Sequence, residues 1–221
     1  MNTSFTDRLH EAAAPVWAQC LAHPFVAGLG DGSLAPEKFR HFMIQDYLYL
    51  FEYAKVFALG VVKARDPERM RAFAQSVNDI LNGEMNLHRA YMKRLGIDEA
   101  QAQAARPALA NLSYVNYMLS VAHTGMEAEI VAAILACSWS YAEIGCALAQ
   151  RPGATAHPLY GEWILSYASE EYAASNAAMI RLMNEVAEGA SEERLQYLTE
   201  IFVHCSRYEL EFWNMAWEMS R

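Results

Sequence analysis

Four stretches of the sequence place reactive or hydrogen-bonding side chains on otherwise apolar faces. In residues 45–53, Asp46, Tyr49 and Tyr53 follow Phe42 at spacings of three and four, so on a helix they share one face. Phe39 and Phe57 extend it. A carboxylate among tyrosines, whose hydroxyls can donate to it and favour its ionised form, suits a flat hydrogen-bonding ligand. The spacing fits equally a solvent-facing Asp46 beside core aromatics. In residues 135–145, Cys137 and Tyr141 are i and i+4. A thiolate there is a nucleophile, and a buried thiol there is a small hydrophobe. In residues 160–172, Tyr160, Trp163 and Tyr167 fall on one side, as in many core stripes. In residues 207–219, Glu209 lies one turn before Phe212 and Trp213 and shares their face with Ala216. Desolvated, such a carboxyl gains a raised pKa and holds a proton near neutral pH. On a rim it does neither.

Glu84 and His88 stand i and i+4 and offer a different chemistry, one half of a helical di-iron site. That site needs a second Glu-x-x-His pair, and the sequence has no E-x-x-H. Glu127, Glu129 and Glu143 are available, but no spacing selects them. The expectation is a structural pair, with Glu84 hydrogen-bonding His88, and no metal. The other histidines are scattered. Cys20, Cys146 and Cys205 lack comparable polar company, and no two cysteines have the C-x-x-C spacing of a zinc or redox pair. No glycine-rich phosphate loop or basic groove-reading helix is present.

The elements that must position these groups read as helices. The chain has 221 residues, 54% of them hydrophobic and 19% charged, enough apolar surface for a real core and the opposite of a disordered composition. Ala, Leu, Met, Glu and Gln dominate, and these are helix formers. Pro and Gly are few and punctuate the periodic segments. The pattern predicts helices over about 5–21, 36–65, 67–95, 107–123, 126–149, 158–187 and 191–218, with no strand. Turns are expected at 31–33, at Gly96, at 124–125, at Gly189 and across 151–157, the widest loop. One all-α helical bundle over 1–221 is the expected architecture.

Seventeen Lys and Arg against 26 Asp and Glu leave a formal charge of −9. That makes a poor nucleic-acid partner, since affinity for phosphate backbones comes from clustered cations. The apolar runs look broken by charge before the ~18 residues of a membrane span. With no export signal at the N-terminus, reduced thiols and a cytoplasmic location are expected.

Taken in order, QDYLYL at 45–50, SYVNYMLSVA at 113–122, the C-x-W-x-Y-x-E-I-G run at 137–145, YGEWILSYASE at 160–170 and LEFWNMAW at 210–217 resemble the TenA family, also called thiaminase II. The likeness runs from about residue 5 to 217, and five motifs in register make it specific. It implies an all-helical fold like that of haem oxygenase, without haem. It implies hydrolysis of 4-amino-5-aminomethyl-2-methylpyrimidine or thiamin in thiamin salvage, releasing 4-amino-5-hydroxymethyl-2-methylpyrimidine, with no cofactor. It further implies a homotetramer. On the form with a catalytic cysteine, Cys137 matches the nucleophile and Asp46 the carboxylate at the pyrimidine amino edge, which also positions the cysteine. Glu209 matches the carboxylate at a ring nitrogen, and Tyr49, Tyr114, Tyr141 and Tyr167 match the tyrosines around the ring. Ala136 stands where the family commonly has proline, a change that removes no reacting group.

The chemistry suits these residue types. A 4-aminopyrimidine presents an accepting ring nitrogen and a donating amine, which one protonated and one ionised carboxyl complement. A proton from Glu209 would make the ring more electrophilic toward the Cys137 thiolate. Two other readings stay open at this level: a metal-dependent oxygenase on the same fold, and a pyrimidine-binding regulatory protein without turnover.

Overall fold

The computed structural model describes residues 4–220. Its helices are α1 (Phe5–Ala22), α2 (Pro24–Asp31), α3 (Pro36–Lys63), α4 (Pro67–Asn78), α5 (Met85–Arg94), α6 (Glu99–Gln103), α7 (Leu109–Thr124), α8 (Glu127–Ala149), α9 (Gly161–Tyr167), α10 (Glu170–Ala187) and α11 (Glu192–Glu218). A π turn, Asp79–Glu84, joins α4 to α5, and no strand occurs among the described residues. The expected all-α class is therefore observed. The chain groups into two compact units: residues up to Ala35 with Val131–Asn214, and Pro36–Ile130 with the segment from Met215.

In the first unit, α1 is the organising helix. Ser4 caps it, accepting from the Asp7 amide while Asp7 accepts in return from the Ser4 amide, the reciprocal arrangement of a capping box. Its buried stripe is Leu9, Ala13, Trp17 and Cys20, the i, i+4, i+8, i+11 spacing of one helix face. The Trp17 indole donates to Ser206 Oγ on α11 at 3.1 Å. The Thr6 amide and hydroxyl exchange hydrogen bonds with the Asn184 side chain of α10 at 3.0 and 2.9 Å.

In the second unit, α3 is the centre. Buried Gln45 accepts from the Ala108 amide at 2.8 Å, and its carbonyl takes the Asn111 side chain at 2.8 Å. These bonds satisfy the open end of α7 and fix it to α3. At the other end of α3, Lys63 donates to the carbonyls of His123 and Gly125 at 3.1 and 2.9 Å.

Four departures from the expected elements have local causes. Residues 24–31 form a helix although PFVAGLGD contains Gly28 and Gly30, both poor helix formers. His23 accepts from the Phe25 amide at 3.2 Å, and Phe25, Val26 and Leu29 are fully buried. The 67–95 segment is not one regular helix but carries the π turn. Residues 99–103 form a short helix capped by Asp98. The 158–187 segment is two helices: His157 Nδ1 accepts the Leu159 and Tyr160 amides, both at 3.2 Å, and holds 158–160 as a turn. Ser169 then caps α10 by accepting from the Tyr172 amide at 3.1 Å.

One further expectation is corrected. α8 contains an 18-residue window of mean hydropathy 1.5, long and apolar enough to span a bilayer by length and composition, and 61% of that window is buried inside the protein. Its apolar character follows from that burial, since Ile130, Val131, Ala132, Ala133, Ile134 and Leu135 have no exposed surface.

Candidate active site

The first unit holds Cys137, Tyr141, Tyr167 and Glu209. Cys137 is half-buried on α8, where the solid apolar run ends, and its carbonyl accepts from Ser140 Oγ at 3.0 Å. One turn on, Tyr141 enters a cluster of rings. Its centroid lies 4.9 Å from Tyr167, 5.3 Å from Trp213 and 6.0 Å from Trp163, and Trp163 lies 4.8 Å from Tyr167. Tilted pairs at these separations are the favourable geometry for aromatic side chains. The cluster ties α8, α9 and α11 together around the helix face that begins with Cys137.

Gly145 makes this approach possible. A methyl group at that position would sit 2.6 Å from Tyr167 Cβ and 2.8 Å from the Tyr167 carbonyl carbon. Only a residue without Cβ lets α8 come this close to the end of α9.

Glu209 is buried with 2% exposure, which excludes the rim position. When ionised, it acts on two thiols. Burial and, second to it, the Glu209 carboxylate push the Cys20 thiol up to about 12. The same two causes hold Cys205 well above the ordinary thiol value. Cys20 thus has polar company that its sequence neighbours do not disclose, whereas Cys205 has it at the i, i+4 spacing within α11; both are kept as inert thiols. The Tyr160 hydroxyl donates to the Leu34 carbonyl at 2.5 Å, and its ring stacks on His157 at 4.5 Å. A groove of about 220 Å³ elsewhere in this unit is lined by His10, Trp17, Cys20, Ser140 and Glu143, and includes none of the expected site residues.

The second unit holds Asp46, Tyr49 and Tyr114. Asp46 is buried with 5% exposure, which excludes the solvent-facing alternative. The Tyr49 ring lies 5.2 Å from Tyr53, nearly parallel, and 5.4 Å from Tyr114 on α7. The Tyr49 hydroxyl points to the Met118 sulfur at 3.8 Å.

The group facing Asp46 is one the sequence did not connect with it. His88 Nε2 lies 2.6 Å from Asp46 Oδ2, and both side chains are buried. Tyrosine donors to Asp46 were the expectation, and a histidine 42 positions away takes that place. The expected Glu84–His88 bond exists in another form: His88 Nδ1 meets the Glu84 backbone carbonyl at 3.0 Å. Burial works against a charged His88, but the hydrogen bond and charge of Asp46, aided by Glu84, outweigh it and raise the imidazole pKa above its ordinary value. Among the described residues no three His, Cys, Asp or Glu side chains converge as a metal site.

Comparison with known proteins gives a consistent result. The model of the TENA/THI-4/PQQC family matches residues 10–219. A protein of Halalkalibacterium halodurans named aminopyrimidine aminohydrolase is 48% identical over 214 residues, covering 97% of this chain and 96% of that one. The solved structure of a TenA homologue protein from P. horikoshii OT3 superimposes with a TM-score of 0.92 at 30% identity, covering 98% and 99% of the two chains. A Shewanella denitrificans domain with a heme oxygenase-like fold superimposes with a TM-score of 0.80 at 15% identity, covering 99% of this chain and 94% of that one, a likeness of fold alone. With its helical architecture and nearly its whole length matched, this chain belongs to the TENA/THI-4/PQQC family.

Proposed function

We propose that this protein is an aminopyrimidine aminohydrolase that releases 4-amino-5-hydroxymethyl-2-methylpyrimidine in thiamin salvage, with Cys137 as nucleophile. The observation that carries the reading is the 48% identity, over 97% of the chain, to a protein named for that activity. The buried carboxyls Asp46 and Glu209 and the half-buried thiol of Cys137 supply groups the reaction needs.

The assigned roles are those the family resemblance implies, and the chemistry of the substrate suits them. The Asp46 carboxylate accepts from the 4-amino group, and protonated Glu209 donates to a ring nitrogen. The Cys137 sulfur bonds to the ring carbon beside that nitrogen, so the ring loses its aromaticity and becomes electron-rich. Its electrons then expel the amine from the exocyclic methylene, and the amine departs as ammonia with the proton that the Cys137 thiol gave up, which the added water later restores to the thiol. Water adds to the methylene. The C–S bond breaks, the ring nitrogen returns its proton to Glu209 and aromaticity is restored. The sum is substrate plus water giving alcohol plus ammonia. General acid–base assistance of this kind typically contributes ~10²–10⁴-fold. Tyr49, Tyr114, Tyr141 and Tyr167 offer aromatic surface to the planar substrate.

The reading also carries a homotetrameric assembly, which rests on the family resemblance, and cytoplasmic residence. All four cysteines are thiols rather than disulfides, as reducing surroundings leave them. The test is product analysis of the purified protein with 4-amino-5-aminomethyl-2-methylpyrimidine and with thiamin, side by side. Hydroxymethylpyrimidine from either substrate supports the reading and the ratio of rates identifies the leaving group. No product from either overturns it.

A further inference from the structure

We propose that His88 is a positioning residue for this reaction: as an imidazolium it holds Asp46 Oδ2 and leaves Oδ1 to receive the amino group of the pyrimidine. The inference rests on the hydrolase reading for its function and on the geometry of one side-chain pair for its substance.

The two ring nitrogens of His88 have different, fixed duties. Nδ1 is 3.0 Å from the Glu84 carbonyl oxygen. A carbonyl only accepts, so Nδ1 carries a hydrogen. Nε2 is 2.6 Å from Asp46 Oδ2. With Nδ1 already protonated, Nε2 either donates to a carboxylate or accepts from a carboxylic acid. In both cases one proton lies between the side chains, and the buried pair has no net charge. Isolated, either charge would be costly at this depth. The hydrogen bond and charge of Asp46, which raise the imidazole pKa against the effect of burial, favour that proton on His88. Asp46 is then an ionised acceptor with one oxygen committed and its plane fixed.

The backbone supports the same reading. The carbonyl that fixes His88 belongs to the last residue of the π turn Asp79–Glu84, a wide turn of a kind found often at functional sites. The ionisable groups acting on His88 are Asp46 from α3 and Glu84 from that turn. Removing the proton from Nε2 would set a lone pair against the carboxylate and release its orientation. The arrangement is that of a histidine and a carboxylate steering one another's protonation and direction, transferable from other acid–base sites.

The test combines a spectroscopic readout with a kinetic one. In the full-length protein labelled with ¹⁵N-histidine, the His88 ring nitrogens should both be protonated above neutral pH in wild type, and His88 should become neutral in Asp46→Asn. His88→Gln keeps a donor but cannot carry the charge. Its kcat/KM for the aminomethylpyrimidine should fall ~10- to 100-fold, the size of a lost hydrogen bond to a charged group. The alkaline limb contributed by His88 should also disappear from its pH profile. A wild-type His88 that is neutral at neutral pH overturns the proposal. So does a folded His88→Gln with kcat/KM and pH profile indistinguishable from wild type. If His88→Gln does not fold, the ring-nitrogen signals decide. If wild type releases no hydroxymethylpyrimidine, the hydrolase reading has failed, and the same signals still decide the His88–Asp46 pairing.

Discussion

The indole of Trp213 packs 5.3 Å from the ring of Tyr141, and through that contact the helix carrying Glu209 is held against the helix carrying Cys137. Trp213 is fully buried. Trp213→Ala should destabilise the protein by about 3–5 kcal/mol, the usual cost of deleting a large buried aromatic. Urea unfolding of the two proteins checks this. A change well under 1 kcal/mol would mean that the ring cluster does not fix α11 to α8.

Gly145→Ala probes the closest approach in that cluster. The added methyl meets the Tyr167 backbone and Cβ inside van der Waals distance, and rigid backbone cannot rotate away. Overpacking of this kind costs typically ~1–3 kcal/mol. We expect a lower unfolding midpoint together with reduced kcat/KM, because Tyr167 shifts with α9 and its packing against Tyr141 of α8 is disturbed. Unchanged stability would show that α9 yields freely.

The His88 pairing gives a signed dependence of stability on pH. Its folded pKa is raised, above an unfolded value of about 6.5. The proton therefore stabilises the folded state fully below the unfolded pKa, and that contribution is lost as pH rises through the folded one. The difference in unfolding free energy between wild type and His88→Gln should shrink across that window. A difference that stays flat from mildly acidic to alkaline pH contradicts the shift.

Much of the fold is legible in the sequence because apolar periodicity and caps are local signals. Asp66-Pro67 and Ser191-Glu192-Glu193 start helices as expected, and Gly96, with φ of 64°, follows the end of α5. The Ser169 break had the same signature, Ser169-Glu170-Glu171, and the apolar stripe through it hid the cap. The π turn left no signal, since one widened turn barely disturbs the apolar pattern. The apolar faces that carry Asp46 and Glu209 were legible residue by residue, and both carboxyls are buried. The His88–Asp46 pair was not legible, because a contact across 42 positions depends on how α5 lies along α3 and no local spacing encodes that. The Glu84–His88 spacing drew attention to the right histidine for another reason.

The two carboxyls should separate in kinetics. Glu209→Gln keeps the shape and a donor but cannot transfer a proton, so kcat should fall by ~10²-fold or more with a smaller change in KM. Asp46→Asn replaces the acceptor facing His88 and, on the proposed roles, the acceptor for the substrate's amine, so kcat should fall and KM rise together. Steady-state kinetics on both variants check the split. A Glu209→Gln enzyme with wild-type kcat would reduce Glu209 to packing.

The most direct measurement is the turnover of Cys137→Ser with 4-amino-5-aminomethyl-2-methylpyrimidine, run beside wild type and beside Cys146→Ser, whose thiol is exposed. A hydroxyl near neutral pH is a far weaker nucleophile than a thiolate, while the change in volume is small. The account predicts hydroxymethylpyrimidine from wild type and Cys146→Ser, and none from a Cys137→Ser protein that unfolds at the wild-type midpoint. Hydrolysis by Cys137→Ser at a rate comparable to wild type would contradict it.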